Sequence, residues 1–220
     1  MKLIVIIPAY NEERTIKEVI RSLKEKGYND IIVVDDGSPD KTFELASKEK
    51  VKVYRHIINR GLGGALNTGI TAALRENADF IVTFDADGQH DVDDIEKLVK
   101  ALEEGYDVAI GNRINEKMPF VRKIGNIGLD FVTYMLFGIY VHDSQSGLRA
   151  FTREAAEKIE INTNRMEVSS EIITEIGRKN LKLKEVPIKT IYTKYSLSKG
   201  NSVWNGFKIA LKLLLKRIMM

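Results

Sequence analysis

The residues best suited to carry chemistry are two carboxylates at the end of an apolar run. Asp85 and Asp87 lie two positions apart, so on extended backbone their side chains point the same way. Such a pair can share one hard divalent cation, to which Gln89 can add a neutral oxygen, and the ion would offset negative charge on a phosphate group. The competing interpretation is a cluster that caps a helix, a role that suits the three aspartates that follow, Asp91, Asp93 and Asp94.

Two other loops combine turn residues with groups that suit a nucleotide. Residues 8–13 read Pro-Ala-Tyr-Asn-Glu-Glu, and residues 35–40 read Asp-Asp-Gly-Ser-Pro-Asp. A carboxylate at a strand end can accept a hydrogen bond from a nucleobase N–H, and the ring of Tyr10 can stack on the base. Asn11 and Ser38 are also ordinary turn or cap residues, so each loop alone fits a structural role equally well.

A glycine-rich run, Arg60–Gly64, lies between these loops and the carboxylate pair. It lacks the Gly-x-Gly-x-x-Gly spacing after a first strand that marks a dinucleotide site, and no suitably placed acidic residue follows it. Two interpretations remain open: close approach of the backbone to a ligand, or a tight turn into a helix.

The elements that must position these residues alternate in type along the first half of the chain. Apolar runs predict strands at Lys2–Ile7, Ile31–Asp35, Val51–His56, Phe80–Phe84 and Asp107–Gly111. Helical spacing occupies the segments between them, at Glu12–Lys26, Lys41–Glu49, Leu62–Glu76 and Val92–Glu103. This order predicts an α/β fold with a mostly parallel sheet and helices on both faces. Ligands bind such sheets at the carboxyl ends of the strands, where all three polar loops fall.

The second half of the chain has a different pattern. Val121–Val141 predicts a long apolar helix, but its uncharged part is 11 residues, too short for a bilayer span of roughly 20. A loop at Asp143–Gly147 leads to a short strand, a helix near Val168–Arg178 and a strand at Leu183–Ile188. We expect one domain over residues 1–188 and a basic appendage over residues 189–220.

The composition narrows the classes of protein. The chain has 220 residues, 44% of them hydrophobic and 30% charged, which is typical of a globular protein. Because it has no cysteine, disulfides and thiolate metal sites are excluded. The net charge is +3, yet residues 188–220 hold seven basic and no acidic residues, and the preceding 187 hold 27 basic and 31 acidic residues. The basic character is therefore local, which argues against a general nucleic-acid surface.

The end of the chain predicts an amphipathic helix. From Val203 to Met220 every charge is basic, and Lys208, Lys212 and Lys216 recur every four residues beside Trp204 and many aliphatic side chains. That composition is typical of a helix in the headgroup plane of a membrane. The same helix would also suit closure of the core or a dimer contact.

Seven segments, taken together, resemble a known family. They are Pro-Ala-Tyr-Asn-Glu, Val-Val-Asp-Asp-Gly-Ser-x-Asp, Asn59-Arg-Gly-x-Gly63, Asp85-Ala-Asp-x-Gln-His90, Gly111-Asn-Arg113, Asp143-Ser-Gln-Ser-Gly-Leu-Arg149-Ala-Phe and Glu185-Val-Pro-Ile. In this order they resemble the inverting family 2 of nucleotide-sugar glycosyltransferases with a GT-A fold. Within that family the chain is most similar to the dolichyl- or polyprenyl-phosphate mannose and glucose synthases.

The resemblance implies roles for named residues. A nucleotide site would include Pro8, Tyr10, Glu12, Asp35, Asp36, Arg60, Gly63, Asp85 and Ala86. Mg²⁺ or Mn²⁺ would be held by Asp85, Asp87 and Gln89, and the acceptor phosphate by Arg113, Arg122, Asn126 and Arg149. Relatives tend to have serine at the position of Asn126. Asp87, Arg113 and Arg122 would then be the residues most directly involved in catalysis.

The family also implies an activity and a location. A hexose would move from a UDP- or GDP-sugar to a dolichyl or polyprenyl phosphate. The enzyme would bind peripherally to the cytoplasmic face of a membrane, and it could form oligomers. A phosphate monoester, with a second pKa near ~6, is already charged and needs no general base. A hydroxyl acceptor would need one, and the fallback candidates are Asp143, Glu167 and Glu171.

Three alternatives stay open at this point. The first is a glycosyltransferase that acts on a hydroxyl of a glycan or small molecule, and the second is a non-catalytic subunit that binds a nucleotide sugar. The third, a sugar-nucleotide pyrophosphorylase, is disfavoured because a Gly-rich basic loop would be expected where residues 8–12 read Pro-Ala-Tyr-Asn-Glu. The histidines, His56, His90 and His142, predict neither a metal-ligand pair nor a Ser/His/Asp set.

Overall fold

A computed structural model describes residues 1–113, 141–165 and 167–191 of the chain. Its strands are β1 (Leu3–Ala9), β2 (Ile31–Asp35), β3 (Lys52–Arg55), β4 (Phe80–Thr83), β5 (Val108–Arg113), β6 (Arg149–Thr152) and β7 (Leu183–Ile188). Its helices are α1 (Ile16–Glu25), α2 (Thr42–Lys48), α3 (Leu62–Arg75), α4 (Asp94–Glu103), α5 (Arg153–Lys158) and α6 (Val168–Arg178). Every strand and helix predicted within this part of the chain is therefore confirmed.

The strands form one mixed sheet of seven strands in the order β3-β2-β1-β4-β6-β5-β7. The βα units at the start of the chain give parallel pairing of β3, β2, β1 and β4. The short strand β6 runs antiparallel between β4 and β5, while β5 and β7 are parallel. Since β1, β2 and β4 are neighbours and parallel, their carboxyl ends meet at one edge.

Alternate residues of the central strands build two apolar layers, one on each face of the sheet. Val5 and Ile7 of β1 pack with the apolar sides of α1 and α4. Ile4 and Ile6, which point the other way, pack with α3, α5 and α6. Both faces of the central strands are thus buried, which explains why their sequences are continuous apolar runs rather than alternating ones.

Some element boundaries differ from the sequence prediction. Helix α1 begins at Ile16 instead of Glu12, because the backbone N–H groups of residues 11–13 donate to side chains of the loop after β2 and of the first residue of α2. Strand β5 continues to Arg113 instead of Gly111, because β7 pairs with its last two residues. Both differences come from partners that are distant in sequence.

Residues 189–191 continue past the predicted domain, whereas the two predicted apolar helices lie almost entirely outside the described ranges. Past the predicted domain boundary at residue 188, the Lys189 N–H donates to Asp94 Oδ2 at 2.7 Å and the Ile191 N–H to the Gln89 carbonyl at 2.8 Å. Nearly all of the predicted helix Val121–Val141, and the predicted helix Val203–Met220, lie outside the described residues. Within the described ranges, no helix has both the length and the apolar character needed to cross a bilayer.

Candidate active site

The loops after β1 and β2 are joined at the carboxyl edge of the sheet. The Asn11 N–H donates to Ser38 Oγ at 3.0 Å, and the Glu12 N–H donates to Thr42 Oγ1 at 2.8 Å. Glu12 is half-buried, Pro8 is half-buried, and the ring of Tyr10 is 43% exposed beyond the strand end. The predicted nucleotide-binding residues of these two loops are thus brought together, with an aromatic face open to solvent.

The loop after β4 holds the predicted metal ligands, and each carboxylate has a local partner. The backbone N–H of Gln89 donates to Asp87 Oδ1 at 3.0 Å, and the Gln89 side-chain amide hydrogen-bonds the other oxygen of Asp87. His90 Nε2 lies 2.9 Å from Asp85 Oδ2, and the histidine ring is buried edge-on to Phe84. Sequence reasoning left the role of His90 open; the structure identifies it as the partner of Asp85.

Their surroundings shift the pKa values of Asp85 and Asp87 in opposite directions. Burial, and then the negative charge of Asp85, raise the pKa of Asp87 above its usual value. Burial also opposes ionisation of Asp85, but the hydrogen bond from His90 and the charges of Arg113 and Arg149 outweigh it, so the pKa of Asp85 is lowered. Ionisation of both carboxylates is therefore less favourable than that of two separate ones, and a bound cation would favour it.

The donor set fits a hard divalent cation. Two carboxylates and a carboxamide supply the oxygen ligands that Mg²⁺ and Mn²⁺ prefer. Across residues 1–113, 141–165 and 167–191, no group of three or more His, Cys, Asp and Glu side chains could hold a metal. Asp85, Asp87 and Gln89 would hold such an ion, and substrate phosphates could supply its remaining ligands.

A glycine 62 positions further along the chain makes room for Asp85. A Cβ at Gly147 would overlap with both carboxylate oxygens of Asp85. The Gly147 carbonyl accepts a hydrogen bond from Thr83 Oγ1 at 2.7 Å, which fixes this turn against the end of β4. Gly147 thus belongs to the site through close approach to a charged side chain.

Two arginines approach the same region from β5 and β6. Arg113 makes a two-pronged ion pair with Asp143, with Nε–Oδ2 at 2.6 Å and Nη2–Oδ1 at 2.7 Å. Arg149 is buried, and its Nη2 donates to the Ser144 carbonyl at 2.9 Å. Burial lowers the pKa of Arg149 to about 10, against the charges of Asp85 and Asp143, so the side chain stays cationic at neutral pH. The predicted acceptor residues Arg122 and Asn126 lie outside the described residues.

The paired aspartates after β2 have different surroundings. Asp35 is fully buried and lies 3.2 Å from Arg55 Nε. Asp36 accepts hydrogen bonds from the Arg60 and Gly61 N–H groups at 2.9 and 2.6 Å and lies 2.7 Å from His56 Nδ1. Asp36 therefore fixes the backbone around Arg60, and its direct contact with a nucleotide stays a prediction.

The glycine-rich run makes its close approach to protein backbone. A Cβ at Gly63 would overlap with the Thr163 carbonyl. The facing segment is held by Glu171, whose Oε2 accepts from the Asn162 and Thr163 N–H groups at 3.2 and 2.8 Å. Of the two interpretations of this run, the tight turn into α3 is observed, and a nucleotide role for Gly63 stays a prediction.

These contacts also bear on the three fallback bases. Both oxygens of Asp143 accept from Arg113, and Glu171 is committed to backbone N–H groups. Glu167 is buried just before α6. In the described structure, therefore, at least two of the three carboxylates already bind positive or donor groups rather than point as free acceptors into the site.

The sheet order, the three strand-end loops and the paired carboxylates after β4 define a nucleotide-sugar transferase with a GT-A fold. Residues 4–160 match the family described as glycosyl transferase family 2. The chain belongs to this family, as its sequence motifs indicate, and it is a glycosyltransferase.

Curated relatives agree with the family and include lipid-phosphate enzymes. An uncharacterized protein of Methanocaldococcus jannaschii is 56% identical, over 99% of this chain and 93% of its own length. A UDP-N-acetylglucosamine–dolichyl-phosphate N-acetylglucosaminyltransferase of Methanococcus voltae is 42% identical, over 97% of this chain and 95% of its own. A dolichol-phosphate mannosyltransferase of Pyrococcus furiosus is 37% identical, over 85% of this chain and 56% of its own. The predicted similarity to dolichyl-phosphate sugar transferases is confirmed.

Solved structures support the fold. Glucosyl-3-phosphoglycerate synthase of Mycobacterium tuberculosis, in complex with Mn²⁺, uridine diphosphate and phosphoglyceric acid, superposes with a TM-score of 0.75. The match covers 98% of this chain and 78% of that one, at 20% identity. The shared architecture is therefore the GT-A fold.

Proposed function

We propose that this chain moves a sugar from a nucleoside diphosphate to a dolichyl or polyprenyl phosphate, with Mg²⁺ or Mn²⁺ as cofactor. The observation that carries the proposal is the pair Asp85 and Asp87 at the end of β4, with the charges of Arg113 and Arg149 acting on Asp85. Negative charge on a leaving diphosphate and on an acceptor phosphate would both find counter-charges there.

The donor side is built from the three strand-end loops. Tyr10 would stack on the base, and the carboxylates of Glu12 and Asp35 would accept from base or ribose donors. Asp85, Asp87 and Gln89 would hold the divalent ion, which would supply positive charge beside the departing nucleoside diphosphate. His90 and Gly147 would keep Asp85 in place for this role.

The acceptor side favours a group that is already a nucleophile. Asp143 and Glu171 accept hydrogen bonds from protein groups, so neither stands ready to deprotonate an alcohol. A phosphate dianion needs no such base, and the task becomes one of position and charge. An arriving phosphate would compete with Asp143 for Arg113, because a planar guanidinium can bind either a carboxylate or a phosphate through two hydrogen bonds. Arg149, and Arg122 with Asn126, complete the proposed acceptor site.

The relative from Methanococcus voltae directs the choice of donor. It matches nearly the whole of both chains, and its name specifies UDP-N-acetylglucosamine and dolichyl phosphate. We therefore propose a UDP-sugar as donor, with UDP-N-acetylglucosamine the first to test. The basic end of the chain, residues 189–220, would hold the enzyme peripherally on the cytoplasmic face of a membrane.

The test is transfer from labelled UDP- and GDP-sugars to a polyprenyl phosphate, measured as label in the organic phase. The proposal expects product only with both lipid phosphate and Mg²⁺ or Mn²⁺, and EDTA should abolish it reversibly. Polyprenol, which has a hydroxyl instead of the phosphate, is the matched acceptor control and should give no product. Sugar transfer to polyprenol or to a free glycan would overturn the acceptor assignment, and nucleotide-sugar binding without any transfer would indicate a binding subunit.

A further inference from the structure

An exposed apolar pair lies in the loop between β3 and α3. Ile57 is fully exposed and Ile58 is 71% exposed, more than any large apolar side chain except Met1 elsewhere in the described ranges. Neither isoleucine belongs to the sheet, to either apolar layer or to a motif of the site. Covering both isoleucine side chains would remove apolar surface from water and would therefore be favourable.

The backbone on both sides of the isoleucine pair is held by hydrogen bonds. Before it, the His56 N–H donates to the Asp35 carbonyl at 2.9 Å, and the His56 ring lies between Asp36 and Thr68 Oγ1, 2.7 and 2.9 Å away. After it, the Arg60 N–H is bound by Asp36. From beneath, a Cβ at Gly37 would lie only 3.0 Å from backbone atoms of Ile58 and Asn59.

The position of this loop connects it with the site. It follows β3, which is parallel to β2, so it emerges at the same edge as the loops with Asp35 and Asp85. If the acceptor lipid lies in a bilayer, this edge of the sheet must face that bilayer. On this point the inference rests on the proposed function.

The charge of the loop complements an anionic surface. Arg55 balances the buried Asp35, and Arg60 adds a positive charge on the exposed side of the loop. No acidic residue occurs between positions 52 and 75. Apolar side chains beside arginine are typical of segments that enter the headgroup region of a membrane.

We infer that Ile57 and Ile58 insert into the membrane and orient the nucleotide-binding edge toward the acceptor lipid. A protein partner would require roughly 800 Å² from each side, far more than two side chains supply. A bilayer accepts single apolar side chains without matching their shape. The loop would then be a second membrane contact, about 130 residues before the basic end of the chain.

The first experiment measures binding of the full chain to vesicles of phosphatidylglycerol and phosphatidylcholine. The double variant Ile57→Ser/Ile58→Ser should partition at least about tenfold more weakly, because two apolar side chains are lost from the contact. The matched control Ile57→Leu/Ile58→Leu keeps the apolar character and should bind as the parent does. Equal binding of the serine variant would overturn the inference, and so would a dimer in solution that the serine pair dissociates.

A second measurement places the loop directly. Trp204 is the single tryptophan of the chain, so Ile58→Trp in a Trp204→Phe background reports on this loop alone. Brominated lipids should quench its fluorescence, and an unquenched signal from vesicle-bound protein would show that the loop stays in water.

Transfer assays separate this inference from the proposed function. With a short, water-soluble prenyl phosphate, the serine variant should match the parent, while transfer to a vesicle-embedded acceptor should fall. Loss of transfer with every acceptor in the parent protein would defeat the proposed function, and the quenching result would still decide the position of the loop.

Discussion

Asp85 and Asp87 carry opposite shifts of pKa although they are two residues apart. His90 and the nearby arginines favour the charged form of Asp85, whereas burial and Asp85 itself disfavour the charged form of Asp87. Ionisation of Asp87 is thus the less favourable of the two, and a cation bound between the carboxylates would favour it. Among single residues, Asp87 is where a neutral substitute should be most informative.

We predict that Asp87→Asn reduces sugar transfer by about 100-fold or more, since it removes charge aimed at the leaving group. The fold should persist, because Asp87 bonds only with Gln89 among the described residues. The measurement is transfer at saturating Mn²⁺, with the melting temperature from circular dichroism. Asp93→Asn removes an exposed charge from the same segment and should leave transfer unchanged; equal loss in both variants would contradict a specific role for Asp87.

The close contact between Gly147 and Asp85 leads to a second prediction. Gly147→Ala places a methyl group where the Asp85 carboxylate lies, so Asp85 must move. Because a shift of about 1 Å at a catalytic group can cost up to about 100-fold, we expect transfer to fall by at least about tenfold. The Mn²⁺ concentration for half-maximal rate should rise as well.

The neighbouring serine supplies the control for this prediction. Ser146 is buried, and its Oγ has no hydrogen-bond partner within the described structure. Ser146→Ala adds no atom, so its transfer rate should stay within about twofold of the parent. If the two alanine variants have equal transfer rates, the contact between Gly147 and Asp85 does not matter for activity.

At the scale of elements, local patterns were sufficient for the strands and helices but not for their partners. The continuous apolar runs predicted β1, β2 and β4 because each strand is buried on both faces. The antiparallel insertion of β6 between β4 and β5 depends on pairing across more than 60 residues, which no local pattern encodes.

The same limit applies to the site. The spacing of Asp85 and Asp87 at a strand end predicted them as metal ligands, and that role stays a prediction. The links of His56 to Asp36, of Gly147 to Asp85 and of Asp143 to Arg113 join loops 20 to 62 residues apart. Each requires knowledge of which strand ends are neighbours, so each became visible only in the structure.

The segment that faces the start of α3 gives a prediction at this scale. Glu171 on α6 accepts from the N–H groups of Asn162 and Thr163 and from Thr163 Oγ1. Glu171→Ala removes the acceptor of these partly buried hydrogen bonds, and we expect a loss of about 0.5–1.5 kcal/mol in the free energy of unfolding. Urea denaturation measures it.

Transfer assays on the same variants distinguish support from catalysis. Glu171→Gln keeps an acceptor oxygen but removes the charge, so it should be less destabilising and should retain transfer. If Glu171 were the general base for a hydroxyl acceptor, both variants would lose transfer regardless of their stability. That result would favour the alternative acceptor class.

At the scale of the whole molecule, the distribution of charge predicts which part of the enzyme faces the membrane. Positive charge concentrates after residue 188, and the structure attaches Lys189–Ile191 to the segment that contains Gln89 and Asp94. The basic end of the chain therefore departs from beside the proposed metal loop. A membrane contact made by that end would hold the active edge close to the lipid headgroups.

We predict that a chain ending at Ser202 binds anionic vesicles much more weakly than the full chain, because it lacks four basic residues and Trp204. Flotation with phosphatidylglycerol vesicles measures the binding. Binding of the full chain should also weaken as the salt concentration is raised. Transfer to a short, soluble prenyl phosphate is the control and should persist, since the proposed metal, nucleotide and acceptor residues all precede Ser202. Unchanged flotation would indicate that residues 203–220 close the core or join two copies, and a truncated chain that no longer folds would favour the first of these.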